Sequence, residues 1–287
     1  AVPSPEASEV KRDWIPAAQR KKVLAYGIVA AVMAMLIGTA TWWTGKMKEV
    51  NGVSAVMQKQ LEAGLVAYYP FNGNAKDESG NGNDGEVKGA SLITDRHDTS
   101  KSAYSFEKDV IWIPSVQKVD FSSGHTMSVW AKVPDIELHP VRTSPDIIIY
   151  FVNRSLGLWV HHRPKGATGS EGIISGNRLE IFSKSGQGRD RDVRINNTKF
   201  KPSDWFLMTS TFDEKVMKLY VNGSLAGETI VNDFEKYTFV GGNRQQIGSG
   251  SDYRPTYASL DDVRIYNRAL SAEEVKALYD LEKPKGK

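Results

Sequence analysis

Between Asp77 and Gly85 the chain reads Asp-Glu-Ser-Gly-Asn-Gly-Asn-Asp-Gly. Carboxylates and side-chain amides are interleaved there with glycines that let the backbone turn tightly. A calcium ion takes roughly six to eight oxygen ligands in flexible geometry, which such a loop can offer. Asp77 and Asn83 are the ligand candidates within it. The competing reading is a turn whose Asp and Asn side chains bond their own backbone.

Other chemistry is thinner. The five histidines are His97, His125, His139, His161 and His162. His161 and His162 are adjacent in a strand pattern, so they face opposite ways and cannot share a metal. A retaining glycosidase needs two carboxylates about 5–5.5 Å apart. Some jelly-roll glycosidases supply them as Glu-x-Asp-x-(x)-Glu on one strand. Here Glu107-Lys-Asp109 is followed by Ile111 and Trp112 instead of a third acid, and Glu180 stands alone. No nucleophile elbow, phosphate loop or His-Glu-x-x-His occurs. The chain has no cysteine, which excludes disulfides, Cys-ligated zinc or iron–sulfur sites, a thiol nucleophile and a lipidated-cysteine anchor. An enzyme is not expected. Sugar recognition would use exposed aromatics, and Trp159, Tyr253 and Tyr257 are the freer candidates. Trp112, Trp130 and Trp205 fall in strand patterns and read as core.

Those residues must be positioned by strands. From Leu65 onward short runs rich in β-branched and aromatic residues recur: Leu65–Phe71, Ser102–Phe106, Val110–Ile113, Thr126–Val133, Ile147–Val152, Leu158–Val160, Leu179–Phe182, Trp205–Phe212 and Met217–Val221. Asn222-Gly223 is a type I′ hairpin signal. Such spacing predicts an antiparallel sandwich. One helix ends the body, opened by the capping box Ser271-Ala-Glu-Glu274.

Ahead of the body the charge is uneven. The formal net charge is +3 over 287 residues. Residues 1–63 hold 8 bases and 5 acids, and the remainder holds 29 of each. A neutral body argues against nucleic acid as a partner. No charge occurs between Lys22 and Lys46, a run of 23 residues ending near Trp42-Trp43. About 20 helical residues cross a hydrocarbon layer. The flanking bases predict a cytoplasmic N-terminus and a body outside the inner membrane. Gly38 and Ala40 offer a small-x-small cleavage pattern, but the run exceeds a typical signal core, so an uncleaved anchor is expected. Gly27 and Ala31, and Ala30, Ala34 and Gly38, place small residues at four-residue spacing, which lets another helix approach. Val50, Val53, Met57 and Leu61 predict a short amphipathic helix between anchor and body.

Three segments resemble a known family: Gly64–Ala75 with Asp77–Gly85; Trp205, Thr211–Asp213 and Leu219–Gly223; and Leu260–Ser271. They resemble the laminin-G-like, concanavalin A-like lectin domains of bacterial surface proteins, over roughly 64–281. The resemblance implies an all-β, antiparallel jelly-roll β-sandwich, here preceded by a single transmembrane α-helix. It also implies pairing of first and last strands, which would bring Asp261 to the Asp77 loop and give a structural Ca2+ site of Asp77, Asn83 and Asp261. Some members bind carbohydrate. Residues 134–200 match poorly and carry charged loops, so Arg189, Arg191 and Arg194 join the interaction candidates.

The expected organisation is a cytoplasmic basic tail over 1–22, a transmembrane helix over 23–44, an amphipathic linker over 45–63, the sandwich over 64–281 and a basic tail over 282–287. The expected function is a periplasmic accessory subunit without catalytic cofactor, anchored in the bacterial inner membrane. It would dock on a larger membrane complex, such as a respiratory or photosynthetic one. The alternative is a carbohydrate-binding surface lectin or adhesion module.

Overall fold

The computed structural model describes Met35 and residues 55–113, 124–133, 204–230, 245–248 and 256–284, together with the backbone of the strands at 146–151, 156–163, 176–184 and 190–196. The expected membrane span, with Gly27, Ala30, Ala31, Ala34 and Gly38, lies outside the described residues apart from Met35. Among the described residues no helix is long and apolar enough to cross a membrane. Residues 1–56 and 57–287 form two compact units, and the second is the sandwich.

Fifteen strands are described. They are β1 (Leu65–Tyr69), β2 (Glu86–Lys88), β3 (Ser91–Ile93), β4 (Ala103–Glu107), β5 (Val110–Ile113), β6 (His125–Lys132), β7 (Asp146–Phe151), β8 (Leu156–Arg163), β9 (Gly176–Lys184), β10 (Asp190–Asn196), β11 (Phe206–Phe212), β12 (Val216–Val221), β13 (Ser224–Ile230), β14 (Gln245–Gly248) and β15 (Tyr257–Tyr266). All described pairings are antiparallel. Sheet A runs β13-β12-β11-β6-β15-β4-β3, with β1 also on β15. Sheet B runs β10-β9-β8-β7-β14-β5-β2.

Both expected end-to-end features are present. First and last strands pair, Leu65 to Tyr69 lying against Tyr266 to Val263. The Asn222-Gly223 hairpin joins β12 to β13, both residues at positive φ (50° and 74°), as a type I′ turn needs.

Side-chain alternation builds the core. Ile111, Ile113, Val129, Met208, Leu219, Ile247, Leu260 and Val263 are fully buried between the sheets. Each such side chain contributes about 1.5–3 kcal/mol by leaving water. Gly85 is required where β2 approaches: a Cβ there would meet the Ile111 side chain at 2.7 Å and the Ala75 carbonyl at 2.9 Å.

Sheet A is buried on both faces. β11 is buried along its whole length, and so is β6 except for its last residue. The second face is covered by helix α2 (Ala272–Glu282), together with helix α1, whose described residues are 55–62. Leu61 packs with Tyr220, Tyr266, Leu270, Val275 and Leu278 into a second apolar cluster. Ser271 caps α2 as expected, its Oγ accepting from the Glu274 N–H while Glu274 accepts from the Ser271 N–H.

Short or polar elements escaped the sequence pattern. β2, β3 and β14 have three or four residues each, and Gln245-Gln-Ile-Gly248 carries little strand signal. The charged loop expected around Arg191 and Arg194 is corrected to strand β10, paired with β9 from Asp190 to Asn196. Its even positions are polar, and only Val193 and Ile195 betray the period of two.

His125, at the start of β6, sits against Phe212 with ring centroids 5.4 Å apart. Burial pushes its imidazole pKa down to about 4. The unfolded chain ionises near 6.5 and so binds more protons between the two values. The stabilisation is whole above about pH 6.5 and is lost as pH falls towards 4. Urea midpoints at about pH 7 and about pH 4.5 should differ by up to roughly 3 kcal/mol for this residue. His125→Gln should reduce that difference, and an unchanged difference would contradict the assignment.

Candidate functional site

β5 alternates cleanly. Ile111 and Ile113 point into the core, so Val110 and Trp112 belong to the opposite, outer face of sheet B, where both are half-buried. The expectation that Trp112 is core is thereby corrected. Trp112 pairs in register with Glu86 on one side and Gln246 on the other. The Lys88 ammonium lies 5.3 Å from its ring centroid and pairs with Glu86. Gln246 is half-buried, and its amide donates to the Gly248 carbonyl at 2.9 Å. An indole flanked by a cation, a carboxylate and an amide offers an apolar surface and hydrogen-bonding groups side by side. A sugar ring needs both, since its C–H face is apolar and its hydroxyls are donors and acceptors.

Register extends this face across sheet B. Trp159 pairs with Glu180, and Glu180 with Arg194. Counting from Gly157, which pairs with Tyr150, alternation puts Trp159 and Arg194 on the Trp112 face. Arg191 has the opposite parity, with Val193 and Ile195. Tyr257 opens β15 opposite Glu107 in sheet A and is half-buried. Arg189 and Tyr253 lie outside the described residues.

The Asp77 loop does a different job from the one expected. Asp77 Oδ1 accepts from the Tyr68 and Ser79 N–H groups, and Oδ2 from the Asn83 N–H, each at 2.9 Å. Burial pushes the Asp77 carboxyl up, but these bonds outweigh it and hold the group below the usual carboxylate range. Asn83 Nδ2 donates to the Val66 carbonyl at 2.8 Å, and Asn81 Nδ2 to the Leu65 carbonyl at 2.9 Å. The Tyr69 hydroxyl donates to the Asn83 carbonyl. The loop therefore closes over β1, supplying acceptors and donors that the strand lacks.

Asp261 is engaged elsewhere. The switch of β15 from β4 to β1 as partner falls at a bulge after Asp261, with Asp262 at φ 45°. Consecutive strand residues normally face opposite ways; the bulge lets both carboxylates reach one guanidinium. Arg96 Nη1 pairs with Asp261 and Nη2 with Asp262, while Nε donates to the Glu282 carbonyl at 2.9 Å. Its guanidinium lies 4.7 Å from the Trp130 ring centroid, and Trp130 Nε1 donates to Glu282 Oε2 at 2.8 Å. Arg264 pairs with Glu282 and sits 3.8 Å above the Tyr68 ring. Three carboxylates thus meet two guanidiniums; burial, then the neighbouring Asp262 charge, raises the Asp261 carboxyl above its ordinary range. Glu282, expected in the tail, is a buried member of this cluster.

The calcium trio therefore resolves into two hydrogen-bonded arrangements. N–H donors take up the Asp77 oxygens and a guanidinium takes up Asp261, so these residues fit structural bonding better than an ion. Among the described residues no group of three His, Asp or Glu side chains converges as a metal site. A separate groove of about 540 Å³ lies between α1 and α2, lined in part by Leu61, Leu65, Tyr68, Glu78 and Leu281.

Two antiparallel sheets, first and last strands paired and one sheet face uncapped by α2, define a lectin-like sandwich. The sequence pattern of the concanavalin A-like lectin/glucanases superfamily matches residues 107–276, more than half of the chain, and the chain belongs to that superfamily. Comparison with curated proteins finds no significant match. Among solved structures, the binding domain of Paraclostridial Mosquitocidal Protein 1 is similar at a TM-score of 0.61 and 22% identity, over 77% of this chain and 53% of that one. The botulinum neurotoxin serotype D ligand binding domain, in complex with N-acetylneuraminic acid, is similar at 0.58 and 17%, over 77% and 52%. Domain 4 of AbnA, a GH43 extracellular arabinanase from Geobacillus stearothermophilus, in complex with arabinotriose, is similar at 0.54 and 21%, over 75% and 98%. This chain spans about half the length of the two toxin chains. At these identities the likeness shows the fold.

Proposed function

We propose that this chain is a non-catalytic carbohydrate-binding module that presents the outer face of sheet B to a glycan. The observation that carries the reading is Trp112, half-buried on that face between Glu86, Lys88 and Gln246. Two of the similar domains were solved with a saccharide bound. Those likenesses favour carbohydrate over docking on a larger membrane complex. The uncharged run within 23–44 would hold the module at the bacterial inner membrane, with the sandwich on the periplasmic side, by the charge argument above. Extraction of the full chain from membranes by alkaline carbonate would contradict that anchoring.

A glycan array probed with the full chain and with Trp112→Ala tests the binding itself. Wild type should bind a restricted set of saccharides, and the variant should bind them at least about tenfold more weakly, or about 1.4 kcal/mol. Equal binding by the two would move the site elsewhere. Binding to no saccharide would overturn the reading.

A further inference from the structure

One side chain holds the two helices that flank the groove. Arg268 follows β15. Its Nε donates to the Ala63 carbonyl and its Nη2 to the Gln60 carbonyl, each at 2.7 Å. Those carbonyls lie at the C-terminal end of α1, where a helix lacks partners of its own. The same guanidinium grips the Glu274 carboxylate in the first turn of α2 through Nη1 and Nη2, at 2.9 and 2.8 Å. Leu61 is buried in the apolar cluster beneath. The end of α1 is thereby a fixed wall, and the groove is built into the sandwich.

The lining combines apolar surface with uncompensated charge. Leu61, Leu65, Leu278 and Leu281 contribute to it, and Leu281 is 51% exposed. Glu62 and Glu78 also line the groove, and both are exposed. Neither makes an ion pair among the described residues. The bases nearby are already taken: Arg264, which also lines the groove, by Glu282; Arg268 by Glu274; Lys276 and Lys283 by Asp280. The groove therefore presents leucines beside two carboxylates that have no partner. Its volume of about 540 Å³ is that of a ligand site.

We infer that this groove docks a partner protein through a short amphipathic segment whose apolar side chains are flanked by lysine or arginine. The apolar side chains pack on the leucines, as when an amphipathic helix lies in a groove. The bases pair with Glu62 and Glu78, and complementary charge of this kind sets orientation and excludes wrong partners. An acidic segment, or an acidic lipid headgroup, meets like charge there. The groove shares no residue with the Trp112 face, so the inference does not depend on the glycan.

The test follows, by fluorescence anisotropy, binding of the dye-labelled peptide Leu-Lys-Lys-Leu-Leu-Lys-Leu to the full chain. Two control peptides replace every Lys by Glu, or every Leu by Ser. The cationic leucine peptide should bind, and more weakly as salt rises from about 0.05 to about 0.5 M, because exposed charges are screened. Each control should bind at least about tenfold more weakly. Glu62→Gln combined with Glu78→Gln, and separately Leu281→Ser, should each cost at least about tenfold in affinity. All three side chains are exposed, so these variants should melt at the wild-type midpoint. Trp112→Ala should bind the peptide as wild type does. No binding by wild type, equal binding of the Glu-bearing peptide, or full binding by the folded Glu62 and Glu78 double variant would overturn the inference, and each of these leaves the carbohydrate reading untouched.

Discussion

Replacing Arg96 with alanine should destabilise the sandwich by about 3–5 kcal/mol, the cost of removing one partner from a buried ion cluster. The size follows from what is left behind. Arg96 is buried, and its three kinds of nitrogen serve Asp261, Asp262 and the Glu282 carbonyl. Without it, two adjacent carboxylates face each other in a low-dielectric site. The Trp130 ring loses its cation partner while keeping the stacked Tyr279 ring, at 5.8 Å. Arg96→Lys should recover only part of the loss, because an ammonium cannot bridge two carboxylates as a planar fork does. Denaturant unfolding measures both variants: the midpoint should fall with the slope unchanged. A shift under about 1 kcal/mol for Arg96→Ala would mean that the cluster contributes little.

Asp77→Ala should be nearly as damaging, at about 2–4 kcal/mol. Three backbone N–H groups lose an ionised acceptor, and a buried donor left without one costs about 1–3 kcal/mol, less where water reaches it. Ser79 and Asn83 are tied to β1 through the same loop, so the effect should spread to the β1–β15 pairing. The charge also predicts the sign of a pH effect. The Asp77 carboxyl is held below its ordinary value, so its contribution is whole above about pH 4 and is lost as pH falls through the folded value. Asp77→Asn should weaken the acid dependence of stability. Hydrogen exchange at Tyr68 and Asn83 reports the loss locally. Unchanged protection there would contradict the bonding assigned to this loop.

Much of the sandwich was legible because its longer strands alternate. β1, β6, β11 and β12 carry apolar residues at every second position or more, and Asn222-Gly223 fixes one register outright. The capping box announced α2. What stayed hidden has physical reasons. Strands of three residues have no period to read. Arg96 sits in a polar stretch, Thr94-Asp-Arg-His-Asp98, and its partner Asp261 is 165 positions away, a pairing that only the fold creates. Glu282 follows the helix among lysines and looks like tail, yet Trp130 and Arg264 draw it inside. The Asp77 loop was found for its composition, and the same oxygens that suit an ion serve backbone donors when a strand lies beside them.

Trp112 teaches most. It lies in a strand rich in β-branched residues, which made it look like core. The signal against that reading was present: Ile111 and Ile113 flank it, so a period of two puts it on the other face. Sheet A uses both faces for packing, with α2 over the second. Trp112 is half-buried on the outer face of sheet B, and its neighbours Glu86, Lys88 and Gln246 are polar. That contrast between the sheets is what supports the proposed site.

The most direct measurement is calorimetric titration of the full chain with the saccharide selected on the array, repeated for Trp112→Ala and for Glu78→Ala in the groove beside α1. The expected result is at least a tenfold loss of affinity for Trp112→Ala and a change within about twofold for Glu78→Ala. Loss of binding with Glu78→Ala while Trp112→Ala binds normally would contradict recognition by the outer face of sheet B.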